Sequence, residues 1–151
     1  MSWYELLKTI HILSIATWFG SGLAILVIGV RVLASGARGY SNFIVNASWW
    51  AGRAHPGAGV LLLITGFAMV ADADLSVGDT WIWLGILGLV VAMGLGGALI
   101  GRTADAIVDK VETTGFTDAQ LPTVRQLNLY VRIELAILVL VIADMVAKPG
   151  L

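Results

Sequence analysis

The chain contains no cysteine. Disulfides, thiolate metal sites and redox dithiols are therefore excluded, and cysteine usage says nothing about the redox compartment. Charge is scarce as well. Only 13% of the 151 residues are Asp, Glu, Lys or Arg, against about a quarter in soluble domains. The formal net charge of -1 leaves no basic footprint for a nucleic acid. There is no internal repeat and no low-complexity linker, which predicts a single domain over residues 1–151. The start of the chain lacks a convincing small-x-small cleavage site, and its apolar stretch outruns the h-region of a signal peptide. It reads as a retained first helix.

What fills the space left by charge is apolar. Hydrophobic residues make up 58% of the chain, and the mean hydropathy is +0.90. The composition predicts an all-α polytopic membrane protein. From Thr9 to Val30 the 22 residues hold no acidic or basic side chain except His11, roughly 33 Å of helix at 1.5 Å per residue, enough to cross the hydrocarbon core. Three further apolar stretches complete a four-transmembrane-helix bundle with spans of about 6–32, 49–71, 80–102 and 126–147. The fourth is interrupted by Arg132, Glu134 and Asp144.

Loop charges orient the bundle. Arg31, Arg38 and Arg53 flank the first connection and Arg102, Lys110, Arg125 and Arg132 the third, whereas the second, "DADLSVGD", has three aspartates and no basic residue. The positive-inside rule places the first and third connections in the cytoplasm and both termini outside. Trp3, Tyr4, Trp49, Trp50, Trp81 and Trp83 fall near span ends, as interfacial aromatic belts require. Helix three is expected to run on beyond the membrane through Ile107, Val108 and Val111. "TTGF" breaks it, "TDAQ" (Thr117 to Gln120) forms a capping box for helix four, and Pro122 falls in the first turn. Helix three also carries Gly85, Gly88, Ala92, Gly96, Gly97 and Gly101, small residues that let helices approach in lipid.

Ionisable side chains in a span cost roughly 2.5 to 3.5 kcal/mol at its centre, so each needs a location and a partner. Two levels emerge. Lys8 and His11 at the outer end of helix one are level with Asp144 and Lys148 of helix four, whereas Arg53, His55, Arg132 and Glu134 are expected at the cytoplasmic end. His11 and His55 should differ in height by about 25 Å, too far to share one metal. At the outer level His11, Met69 and Met145 form a soft ligand set suited to haem or Cu(I), with Asp144 available to orient the imidazole. At the inner level Glu134 is expected to pair with Arg53 or His55, and Arg132, two residues away, to find a different partner. No residue qualifies as catalytic.

"LLKTIHILSIATWFGSG" resembles the first-helix pattern K-x-x-H, six residues, W-x-G-x-G of HemJ-type protoporphyrinogen oxidases, of CopD-type copper-resistance membrane domains and of a family of small uncharacterised bacterial four-helix integral membrane proteins. "HPGAGVLLLITG" and "RIELAILVLVIADMVAKPG" are similar to the last of these, which fits best. The HemJ resemblance implies Lys8 and His11 as a functional pair, His11 as haem ligand, and oxidation of protoporphyrinogen. The expected location is the bacterial inner (plasma) membrane. The leading expectation is a small redox-associated protein holding haem b or copper through His11, with Lys8. The alternative is a cofactor-free accessory subunit of a membrane complex or homo-oligomer, docking through helix three. A transporter component, hinted at by Glu134 and Asp144, comes third.

Overall fold

The computed structural model describes residues 1–73, 75–76 and 78–148. Its elements are α1 (Trp3–Ser35), α2 (Ala37–Asp72), α3 (Thr80–Leu95), a π-helical segment (Gly96–Gly101), α4 (Arg102–Thr114), a 3-10 turn (Asp118–Gln120) and α5 (Leu121–Ala147). No strand occurs among the described residues. Asp74 of the acidic second connection, and Pro149 and Gly150 of the quoted tail, lie outside them.

The fold is a four-helix bundle in which α1 packs chiefly on α2, and α3 on α5. Three helical stretches, Trp3–Ser35, Arg38–Asp72 and Thr80–Thr114, are long and apolar enough to cross a membrane. Large apolar side chains such as Ile12, Leu13, Val27, Ile64, Leu87 and Leu140 point away from the bundle. An aqueous surface would make that arrangement unfavourable, whereas lipid tails favour it.

Local chemistry explains the element ends. Ser2 and Glu5 form a capping box at the start of α1, with Ser2 N–H donating to Glu5 Oε2 at 2.7 Å and Glu5 N–H to Ser2 Oγ at 3.2 Å. Gly36 alone separates α1 from α2, at φ 125° and ψ 162°, a region that a side chain disfavours. Gly115, at φ 77°, ends α4. The capping box of Thr117 and Gln120 forms as expected, with the Thr117 hydroxyl donating to Gln120 Oε1 at 2.9 Å.

Two features differ from expectation. First, α2 starts at residue 37, about three turns before its apolar span. With 33 residues α1 is about 50 Å long, so the α1–α2 hairpin projects well past a hydrocarbon core of about 30 Å. The projecting part is held by its own core: Tyr40 and Ile44 pack with Ala104, Ile107 and Val111 of α4 and with Val124 and Leu127 of α5. Burial there pushes the Tyr40 phenol up to about 12. A second cluster of Trp18, Ala58, Leu62, Leu89, Ala92 and Leu138 fills the membrane part.

Second, the aromatic belt is incomplete. Trp3, Trp49, Trp50 and Trp83 are exposed, but Trp81 is buried and turned into the bundle.

Candidate functional site

The end of the bundle that carries the termini, called the outer end, holds a cavity of about 390 Å³. Its walls are apolar, built by Ile15, Leu62, Phe67, Ile82, Leu89 and Ile142, among others. Lys8, His11, Met69, Met145 and Lys148 also line it. All four helical layers contribute, because α1 and α2 bring His11 and Met69, α3 brings Trp81 and Gly85, and α5 brings Met145. Gly85 makes room: a Cβ at that position would stand 2.0 Å from Met145 Cε. Lys8 and Lys148 are exposed, and the Lys148 ammonium lies 5.3 Å from the centre of the Trp81 ring.

The tautomer of His11 follows from its partner. His11 Nδ1 lies 2.8 Å from Thr65 Oγ1, and the single hydroxyl hydrogen of Thr65 is engaged by the Leu61 carbonyl at 2.6 Å. Thr65 Oγ1 can then only accept, so Nδ1 carries the proton and Nε2 keeps a free lone pair, an assignment made from the hydrogen-bond network. Among the described residues no side chain bonds Nε2, and the other group near the ring is the Leu62 backbone. This is the state in which a histidine is held when its other nitrogen is a ligand. Thr65, which the sequence reading passed over, is the orienting residue. Asp144, expected in that role, lies against Gly85, its Oδ2 3.7 Å from the position of a Cβ there and without a hydrogen-bond partner.

His55 repeats the arrangement with the helices exchanged. Its Nε2 lies 2.9 Å from Ser21 Oγ, whose own hydrogen goes to the Thr17 carbonyl at 2.6 Å. Each histidine also covers the glycine after its hydroxyl partner: His11 Cε1 comes within 3.5 Å of a Cβ built on Gly66, and His55 Cε1 within 3.9 Å of one on Gly22. The pattern H-x9-[ST]-G stands at residues 11–22 and again at 55–66. It is the signal that would have found Ser21 and Thr65.

The same register corrects the heights. Ten residues separate His11 from Ser21, and ten separate His55 from Thr65, so the two imidazoles are about 15 Å apart along the bundle rather than about 25 Å. His55 is near the middle of α1's apolar run, stacked on Trp18 with ring centroids 6.1 Å apart. It remains too distant to share a metal with His11.

The inner ion pairs do not form. Arg53 donates to the Trp49 carbonyl at 3.0 Å and lies 4.3 Å over the Trp49 ring. A long side chain reaching back along its own helix keeps its charge toward the helix end. His55 is engaged by Ser21, Arg132 is exposed, and Glu134, 2% exposed, has an Oε1 without a hydrogen-bond partner. The Trp18 indole N–H is within electrostatic reach of Glu134, yet it too closes no hydrogen bond. The reason is that nearer groups take these side chains: Arg53 turns back to its own helix, and His55 is taken by Ser21 and stacked on Trp18, which stands beside Glu134.

No group of three or more His, Asp or Glu side chains able to hold a metal ion occurs among the described residues. A metal at the outer site would rely on His11 together with thioethers or with ligands of its own.

A family model for predicted integral membrane proteins matches residues 5–149. The chain belongs to the DUF2269 family. Membership spans all four helices and both histidine clasps, and it makes the DUF2269 chain an integral membrane protein. No curated protein and no solved structure matches it.

Proposed function

We propose that this DUF2269 protein holds an apolar cofactor in its outer cavity, haem b first among the candidates, with His11 as the ligand. One observation carries the reading: an imidazole with a fixed tautomer and an unengaged Nε2 lines an apolar cavity of about 390 Å³, within the size range of cofactor pockets. The residues fit a haem chemically. The walls would suit a macrocycle, Met69 or Met145 would offer a thioether as a further ligand beside His11, and Lys8 and Lys148 would meet the two propionates. Haem bound there would supply one-electron transfer. The protein's own part is to hold His11 through Thr65, exclude water with its apolar lining, and counter anionic groups at the rim. The surrounding is the bacterial inner membrane, with both termini outside.

Copper is the second ligand class, since one imidazole and two thioethers match the softness of Cu(I). A cofactor-free accessory subunit or homo-oligomer is favoured by a different observation. Gly94 and Gly97 have nothing within 4 Å of a built Cβ, leaving a smooth outward strip on helix three.

The test is spectroscopic. The protein, purified in mild detergent and titrated with haem b, is expected to develop a shifted Soret band that His11→Ala abolishes and that Lys8→Ala with Lys148→Ala weakens. Bound copper is measured in parallel. Neither a Soret shift nor retained copper would leave the accessory reading standing. A band lost in His55→Ala but kept in His11→Ala would place the ligand at His55 and overturn the choice of the outer cavity.

A further inference from the structure

Away from the outer cavity, Glu134 is the one charged residue type among the buried side chains of the described residues, with 2% of its surface exposed. A Cβ on Gly96 would press on it, because Oε1 lies 3.0 Å from that position and would have to give by a few tenths of an ångström. The glycine therefore forms a notch for the carboxyl, at the first residue of the π-helical segment Gly96–Gly101. π turns inside α-helices frequently mark functional positions.

No cation compensates the carboxyl. From α1 it faces Trp18, whose indole nitrogen has no hydrogen-bond partner. From α2 the nearest titratable group is His55, stacked on Trp18 and engaged by Ser21. From Thr80 to Gly101, helix three and its π segment contain no ionisable residue. On α5 itself Arg132 is exposed, Tyr130 accepts a hydrogen bond from Gln126 at 2.7 Å, and Leu138 above is fully buried. An ionised carboxylate in this setting would be an unpaired charge in a dry interior, which is strongly unfavourable. An alkali or alkaline-earth ion would need several oxygen ligands, and Trp18, Gly96 and His55 supply no side-chain oxygen.

We propose that Glu134 is a membrane-embedded proton-binding site, held as the neutral acid in the folded bundle and exchanging its proton past the glycine flank of the π segment. Gly96 and the exposed Gly97 place no side chain over that flank. The proposal is independent of any cofactor at His11.

Infrared difference spectroscopy on the full chain in lipid vesicles at neutral pH tests it. A carbonyl band of a protonated carboxylic acid is expected in the wild type, retained in Asp144→Asn, lost in Glu134→Gln, and shifted in heavy water. Absence of a Glu134-dependent acid band overturns the proposal, and so does a band that heavy water leaves unmoved. Should Glu134→Gln fail to fold, labelling of the wild type decides. Dicyclohexylcarbodiimide, which attacks protonated carboxyls in apolar surroundings, is expected to modify the peptide containing Glu134, less so as pH rises. Modification elsewhere only, or protection by sodium at constant pH, overturns the assignment of a proton site.

Discussion

At the scale of single residues, the α3–α5 contact depends on two glycines that differ in what they face. A Cβ on Gly85 would meet the end of Met145 at 2.0 Å, whereas one on Gly88 would meet Val141 Cγ2 at 2.3 Å. Methionine is unbranched and turns aside; valine is stiff at χ1. Gly88→Ala is therefore expected to destabilise by about 1 to 3 kcal/mol, the range for overpacked cores, and Gly85→Ala by clearly less. Thermal denaturation of both variants in one detergent checks the order, and equal or reversed losses would refute it. Gly85→Ala should nevertheless disturb the outer site, since displaced Met145 turns into the cavity. Of that site, Lys8, His11, Met69 and Met145 were legible as one level from helix counting alone. Thr65 was not, because a hydroxyl in a helix ordinarily bonds its own backbone, and only the facing histidine gives it a second role.

Among elements, the α1–α2 hairpin turns on Gly36, whose φ of 125° lies where a side chain is strained. Gly36→Ala is expected to cost about 1 to 3 kcal/mol, read as a lower denaturation midpoint. A midpoint unchanged from wild type would mean that the turn accommodates a Cβ. Composition hid this hairpin. "SGARGYSN" is rich in glycine, serine and asparagine, residues that favour turns, so the sequence reads as a loop up to the apolar run at Trp49. Tyr40 and Ile44 override that local preference by burial against α4 and α5. The start of α5 was legible, because the Thr117 capping box is a local signal that needs no tertiary partner.

The whole molecule has two cores of different kinds: an inner-end cluster around Tyr40, Ile107 and Val124, and a membrane cluster around Trp18, Ala92 and Leu138. They are distant enough for their energetics to be nearly additive. Ile107→Ala, at a site 1% exposed, is expected to cost about 2 to 5 kcal/mol and to speed amide exchange in α4 and the start of α2. Exchange around His11 and Thr65 should stay near the wild-type rate. Uniform acceleration across both ends would show that the molecule melts as one unit.

Sequence by itself determined the membrane habit, the four helices and the level of His11, because these follow from the length of apolar runs and from a fixed rise per residue. Tertiary structure decided the tautomer of His11, the depth of His55 and the isolation of Glu134. Each depends on the register between antiparallel helices, which is set by glycine notches and hydroxyl contacts across the interface and has no signature in any one helix read alone.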